Sequence, residues 1–101
     1  MSEELSDQRK FDYFFLEADR MKNLGKQDAA FDLLQQAAAI DTSSAVVKYN
    51  LANYYLHLKK PQLAYDCLKE AAEKSPDNYW YNVMAANLAQ NLGGGGQAVF
   101  L

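Results

Sequence analysis

Apolar residues along this chain fall into five stretches of helical spacing, separated by short polar breaks. Over residues 7–24 they recur at Phe11, Phe14, Ala18, Met21 and Leu24, the three-or-four spacing that lines one face of a helix. Gly25 follows, and a glycine there supplies the left-handed conformation that ends a helix without a Cβ penalty. Residues 28–40 place Ala30, Phe31, Leu34, Ala37, Ala38 and Ile40 on one side. The polar run from Asp41 to Ser44 breaks this pattern and offers side-chain oxygens to cap the next helix. Residues 45–58 carry Val47, Leu51, Ala52, Tyr55 and Leu58. Pro61 stands where a fourth helix begins, a position at which its missing N–H is no loss. Residues 61–74 then carry Leu63, Ala64, Leu68, Ala71 and Ala72. Ser75, Pro76, Asp77 and Asn78 form a stop followed by a start, and residues 78–92 read as a fifth helix. No segment alternates polar and apolar for long enough to predict a strand, so the fold class is all-α.

The stretches repeat. Ala30, Leu34, Ala37 and Ala38 recur as Ala64, Leu68, Ala71 and Ala72, an offset of 34 residues. The same offset relates Ala18 to Ala52, Leu24 to Leu58, Lys26 to Lys60 and Asp32 to Asp66. Shifted once more, it relates Ala52 to Ala86, Leu58 to Leu92 and Ala64 to Ala98. Matches at one fixed offset on both sides of a loop mark a duplicated pair of helices. The alanines have a mechanical reason. Two helix axes approach to about 8–10 Å only where the side chains between them are short. Ala18, Ala52 and Ala86 are expected where the first helix of a pair meets its partner, with Ala30, Ala37, Ala64 and Ala71 on the opposing surface.

This pattern resembles the tetratricopeptide repeat family, whose period is about 34 residues. Residues 45–78 match best: Leu51 and Ala52 stand for its Leu-Gly pair, Tyr55 for its Tyr, Ala64, Leu68 and Ala71 for its Ala, Phe and following Ala, and Pro76 for its closing Pro. Residues 11–44 keep Phe14, Ala18, Gly25, Ala30, Leu34 and Ala37, but carry Glu17 where Leu is usual and Thr42 where Pro is usual. Glu17 suits a first repeat, which has no earlier neighbour to cover that surface. The third unit keeps Ala85 and Ala86 and then departs at Gly93 to Gly96. Each interior glycine costs a helix about 1 kcal/mol, so four in a row are expected to stop one.

The resemblance implies a right-handed stack of antiparallel helix pairs, an α-solenoid with two full repeats and a single capping helix. Its parts are an N-terminal extension, 1–10, that partly joins the first helix; a domain, 11–92, of repeats 11–44 and 45–78 and half-repeat 79–92; and a glycine linker with a flexible apolar tail, 93–101. The tail has two readings. It is a linker or truncation scar, or Val99, Phe100 and Leu101 dock on an apolar groove, helped by a tether that gives a local concentration of about millimolar order.

Composition narrows the function. Half the residues are apolar, which excludes a disordered chain, yet the apolar runs are far short of a membrane span. Membrane insertion is therefore not expected. The opening Met-Ser-Glu-Glu-Leu is acidic, with no apolar run behind it, and does not read as a secretory signal. The compartment stays open. A net charge of −3, with bases and acids interspersed, argues against nucleic acid as a partner. Catalytic groups do not converge. His57 is the only histidine, so a two-histidine zinc site is excluded, and Cys67 alone makes no internal disulfide. Nothing in the repeat places Cys67 beside His57. Asp12, Glu17 and Asp19 share the first helix and read as a solvated charged face. Gly93 to Gly96 lacks the Lys-Ser/Thr of a phosphate loop. No catalytic residue, cofactor or metal is expected.

Recognition of a protein or peptide is the function that the resemblance implies, in a concave groove lined by the first helix of each repeat. With Leu51, Ala52 and Tyr55 turned toward a neighbour, helical spacing assigns Tyr49, Asn53 and Leu56 to the groove. One repeat later the equivalents are Val83, Asn87 and Gln90, with Trp80 a turn earlier; one repeat before, they are Phe15, Asp19 and Lys22. Asn53 and Asn87 lie one period apart, and an amide that both donates and accepts can bond an extended peptide's backbone whatever its sequence. Family members that grip the acidic C-termini of heat-shock chaperones use Lys, Asn and Arg in this groove. This chain has Phe15, Asp19, Trp80 and Met84 at the matching positions, and only Asn50 fits, which argues against a carboxylate clamp. A second reading is structural: a fragment of a longer solenoid that self-associates, as a homodimer through residues 79–92 or through the tail, because its last helix carries Trp80, Tyr81, Val83, Met84 and Leu88.

Overall fold

The computed structural model describes residues 3–94. Among them are five α-helices and no strand: α1 (Glu3–Asn23), α2 (Gln27–Ile40), α3 (Ala45–His57), α4 (Pro61–Lys74) and α5 (Tyr79–Gly94). The expected helices are all present. α1 starts earlier than its apolar pattern does, and α5 runs past residue 92 to Gly94, so the first two glycines do not stop it. Both readings of Val99, Phe100 and Leu101 lie outside the described residues.

The repeat is written into the backbone hydrogen bonds. At the end of α1 the Gly25 N–H donates to Lys22 O and the Lys26 N–H to Met21 O; at the end of α3 the Lys59 N–H donates to Leu56 O and the Lys60 N–H to Tyr55 O. These are the paired bonds of a Schellman stop, one period apart. Gly25 has φ 81° and Lys59 φ 61°, so a lysine takes the left-handed position that a glycine takes one repeat earlier. The starts correspond as well. The Val47 N–H donates to Ser44 Oγ at 3.4 Å, and the Tyr81 N–H to Asn78 Oδ1 at 3.0 Å. Each cap satisfies one of the orphan N–H groups of a first helical turn. Pro61 opens α4 as expected.

Consecutive helices pack on one another, α1 on α2, α2 on α3, α3 on α4 and α4 on α5. The notches between them are the repeated alanines. Ala30, Ala37, Ala52, Ala64 and Ala71 have no exposed surface, and Ala18 almost none. A first cluster joins Ala18, Ala30, Leu34, Ala37, Val47, Leu51 and Tyr54, flanked by Phe11, Phe14, Phe15 and Phe31. A second joins Ala52, Ala64 and Leu68, with Met84, Ala85 and Leu88 of α5 laid against it. Tyr55 and Cys67 touch both clusters and tie the two pairs together. A single interhelical ion pair, Lys48 Nζ to Glu70 Oε1 at 2.9 Å, fastens α3 to α4 among the described residues.

Four expected packing positions are exposed. Leu24, Leu58 and Leu63 fall at helix ends or in turns, beyond the reach of a neighbouring helix. Ala86 is exposed because no helix of the described residues packs on it. Glu17 is half-buried and forms a two-pronged pair with Arg20, Nε to Oε2 and Nη2 to Oε1, both at 3.0 Å. The Arg20 hydrogen bond holds the Glu17 carboxyl below its ordinary pKa, against a smaller opposing effect of desolvation. No helix of the described residues is long and apolar enough to cross a membrane.

Candidate functional site

A middle helix in a stack has two flanks, and α3 uses both. Its Asn50, Tyr54 and His57, spaced four and then three residues apart, turn toward the first helix pair. There they meet Lys22 at the end of α1 and Gln27, Asp28 and Phe31 at the start of α2. Between these groups lies a hollow of about 540 Å³, completed by Asn53 and Leu58. This is within the roughly 300–1,000 Å³ of ordinary ligand pockets. A smaller hollow continues along α1, where Phe15, Ala18, Asp19 and Lys22 face Leu34, Asn50 and Tyr54. The two hollows share Lys22, Asn50 and Tyr54, so they form one surface along α1, the adjoining part of α2 and α3.

Tyr54 is the polar anomaly of this surface. Only 9% of the residue is exposed, and its Oη is buried with no hydrogen-bond partner among the described residues. Leaving such a group unsatisfied costs about 1–3 kcal/mol. Its ring is held by Phe31, with centroids 5.5 Å apart. Burial raises the phenol pKa, and the negative charge of Asp19 raises it further. Asp19 accepts a long hydrogen bond, 3.4 Å, from Asn23 Nδ2. Asn50 spends one amide hydrogen on Val46 O at 2.8 Å, which fixes the plane of its side chain.

Of the residues that the spacing assigned to a groove, Phe15, Asp19, Lys22 and Asn53 line these hollows. Tyr49 and Leu56 sit on the other flank of α3. Tyr49 is half-buried against the Ala52, Ala64 and Leu68 cluster, its ring 5.3 Å from that of Tyr81, and Leu56 is partly exposed. Trp80 Nε1 donates to Tyr49 Oη at 3.1 Å, so an exposed indole is clipped across the boundary between repeats. Val83, Asn87 and Gln90 lie on α5 and line neither hollow. Spacing assigns a single flank of α3, so it leaves out Tyr54 and His57, while Asn50 enters only as the one residue that fits a carboxylate clamp. The stack itself requires a second, and the four-then-three spacing of these residues was the available signal.

Among the described residues no three His, Cys, Asp or Glu side chains gather as a metal site. Cys67 is half-buried between the clusters; burial raises its thiol pKa, partly offset by Lys48. Comparison with curated proteins finds none that matches. A family model for the tetratricopeptide repeat matches residues 24–90, which run from the first turn through most of α5. With two-thirds of its length so matched and its helix stops and starts repeating at that family's period, the chain belongs to the tetratricopeptide repeat family, whose members are generally protein–protein interaction modules.

Proposed function

We propose that this chain is a non-catalytic module that holds an extended segment of a partner protein along the surface formed by α1, α3 and α5. The observation that carries this reading is the pair of adjoining hollows where α3 faces α1 and the start of α2, lined by aromatic rings and side-chain amides. Asn50 and Asn53 offer both donors and acceptors to a peptide backbone, while Phe15 and Phe31 offer apolar contact. Tyr49, Leu56, Trp80, Val83, Asn87 and Gln90 extend the same surface toward α5 in this reading. Titrating a peptide library into isotope-labelled protein tests it. Shifts that cluster at Asn53, Asn87 and Trp80 are expected; shifts confined to α4 would refute it.

A second reading is supported by the exposure of Tyr79 and Trp80 on α5, which leaves a large aromatic surface at one end of the stack. In it, residues 79–92 associate with a second copy or with further repeats. Sedimentation over a range of concentrations separates the two, since a peptide-binding module stays monomeric and a stacking fragment does not.

A further inference from the structure

We propose that the larger hollow is a pocket for an arginine side chain of the partner polypeptide, an inference that rests on the peptide-holding reading above. Native interiors rarely leave a buried polar atom without a partner. Tyr54 does so in a residue that lines both hollows, with its Oη just beneath their surface. An apolar visitor would leave the hydroxyl unpaired. An acidic visitor would face Asp28 in the larger hollow and Asp19 where the smaller one adjoins it, against Lys22, which lines both, and His57, which lines the larger. Neither carboxylate belongs to an ion pair among the described residues, and the hydrogen bond Asp19 accepts from Asn23 is long.

A guanidinium meets all of these conditions. It is a planar fork of donors with no acceptor, so it can bond Tyr54 Oη and a carboxylate together. It also stacks on aromatic faces, which Phe31 and Tyr54 provide. The Asn50 and Asn53 side-chain carbonyls can accept from its remaining N–H groups. Lys22 is exposed and lines both hollows, and its flexible stem lets it swing aside. A lysine visitor would bring the charge without the fork and is expected to bind less well.

The test is an NMR titration of the whole chain with short capped alanine peptides whose central residue is arginine, glutamate or leucine. The arginine peptide is expected to shift Phe31, Asn50 and Tyr54, and to bind about tenfold more tightly than the other two. Tyr54→Phe should weaken the arginine peptide by about tenfold, the effect of one charge-assisted hydrogen bond. It should leave the unfolding midpoint of the free chain no lower, because the hydroxyl has no partner to lose. Equal or tighter binding of the glutamate or leucine peptide at these residues would overturn the arginine assignment and leave the peptide-holding reading intact. So would an unchanged affinity in Tyr54→Phe. If none of the three peptides shifts this surface, both readings fall.

Discussion

Gly25 and Lys59 occupy the same turn of successive repeats, 34 residues apart, and both have positive φ, 81° and 61°. For an L-residue with a Cβ, this conformation costs about 1–2 kcal/mol, a penalty glycine does not carry. The Lys59 N–H to Leu56 O and Lys60 N–H to Tyr55 O bonds hold it there. Lys59→Gly is therefore expected to stabilise the chain by about 0.5–1 kcal/mol, once the greater freedom of a glycine in the unfolded state is subtracted. Gly25→Ala is expected to destabilise it by about 1 kcal/mol. A Cβ at Gly25 meets nothing within 4 Å, so that loss is a backbone effect. Urea unfolding of the two variants checks the pair; loss of stability in Lys59→Gly would mean that its side chain does more than the conformation costs.

Leu68 and Leu63 lie on one helix and separate packing from mere hydrophobicity. Leu68 has no exposed surface and joins Ala52 and Ala64 in the second cluster, whereas Leu63 is 44% exposed. Leu68→Ala is expected to cost about 2–5 kcal/mol through lost transfer energy and the cavity left behind. Leu63→Ala should stay within about 0.5 kcal/mol. The notch makes the reverse case: Ala64→Leu adds bulk where no space remains, and overpacking should cost about 1–3 kcal/mol or more. Equal losses from Leu68→Ala and Leu63→Ala in thermal or urea unfolding would contradict this packing.

What the sequence made legible was the local punctuation. Gly25, Ser44, Pro61 and Asn78 each act through their own backbone, so their residue types announce helix ends without knowledge of the fold. Lys59 announces nothing, because its left-handed φ is imposed by the turn that α3 and α4 must share. The repeated alanines were legible because only small residues serve at close helix crossings. The neighbours Tyr54 and Tyr55 show where that reasoning stops. The family landmark picked out Tyr55, and that ring does touch both clusters. Tyr54 is the more deeply buried of the two, although both rings lie 5.5 Å from that of Phe31 in the preceding pair. No one-dimensional pattern distinguishes a helix face that meets one neighbour from a helix that meets two. For the same reason Asn53, and Asn50 through its match to a clamp position, could be assigned to the candidate surface, while His57 was placed beside them only by the assembled stack.

Alkaline pH should weaken the fold through Tyr54 and Cys67. Burial raises both pKa values above their ordinary range, so the folded chain keeps protons that the unfolded chain has already released. Stability is then fully present below the ordinary thiol value, about pH 8.5, and falls as pH rises toward the elevated folded values. Unfolding midpoints measured across this window should decline in the parent chain. They should decline less in Cys67→Ala, and less at the higher end in Tyr54→Phe. A profile unchanged by either substitution would show that neither group is more protonated in the folded state. The thiol offers an independent check. A maleimide should react with Cys67 more slowly in the folded chain than in urea, because both burial and the raised pKa suppress the thiolate.

Tyr49 and Trp80 offer the last separation, between a hydrogen bond and a ring. The bond from Trp80 Nε1 to Tyr49 Oη is 3.1 Å long and exposed, so its net contribution belongs near the low end of about 0.5–1.5 kcal/mol. The Tyr49 ring also packs on Tyr81 and on the Ala52, Ala64 and Leu68 cluster. Tyr49→Phe should therefore lower stability by less than about 1 kcal/mol while moving the Trp80 indole N–H resonance toward that of a solvated indole. Tyr49→Ala removes the ring as well and should cost about 2 kcal/mol or more, short of the 3–5 kcal/mol of a fully buried aromatic because Tyr49 is only half-buried. Equal losses in the two variants would assign the joint between α3 and α5 to the hydroxyl. The larger loss in Tyr49→Ala would assign it to apolar packing, the same force that seats the alanine notches elsewhere in the stack.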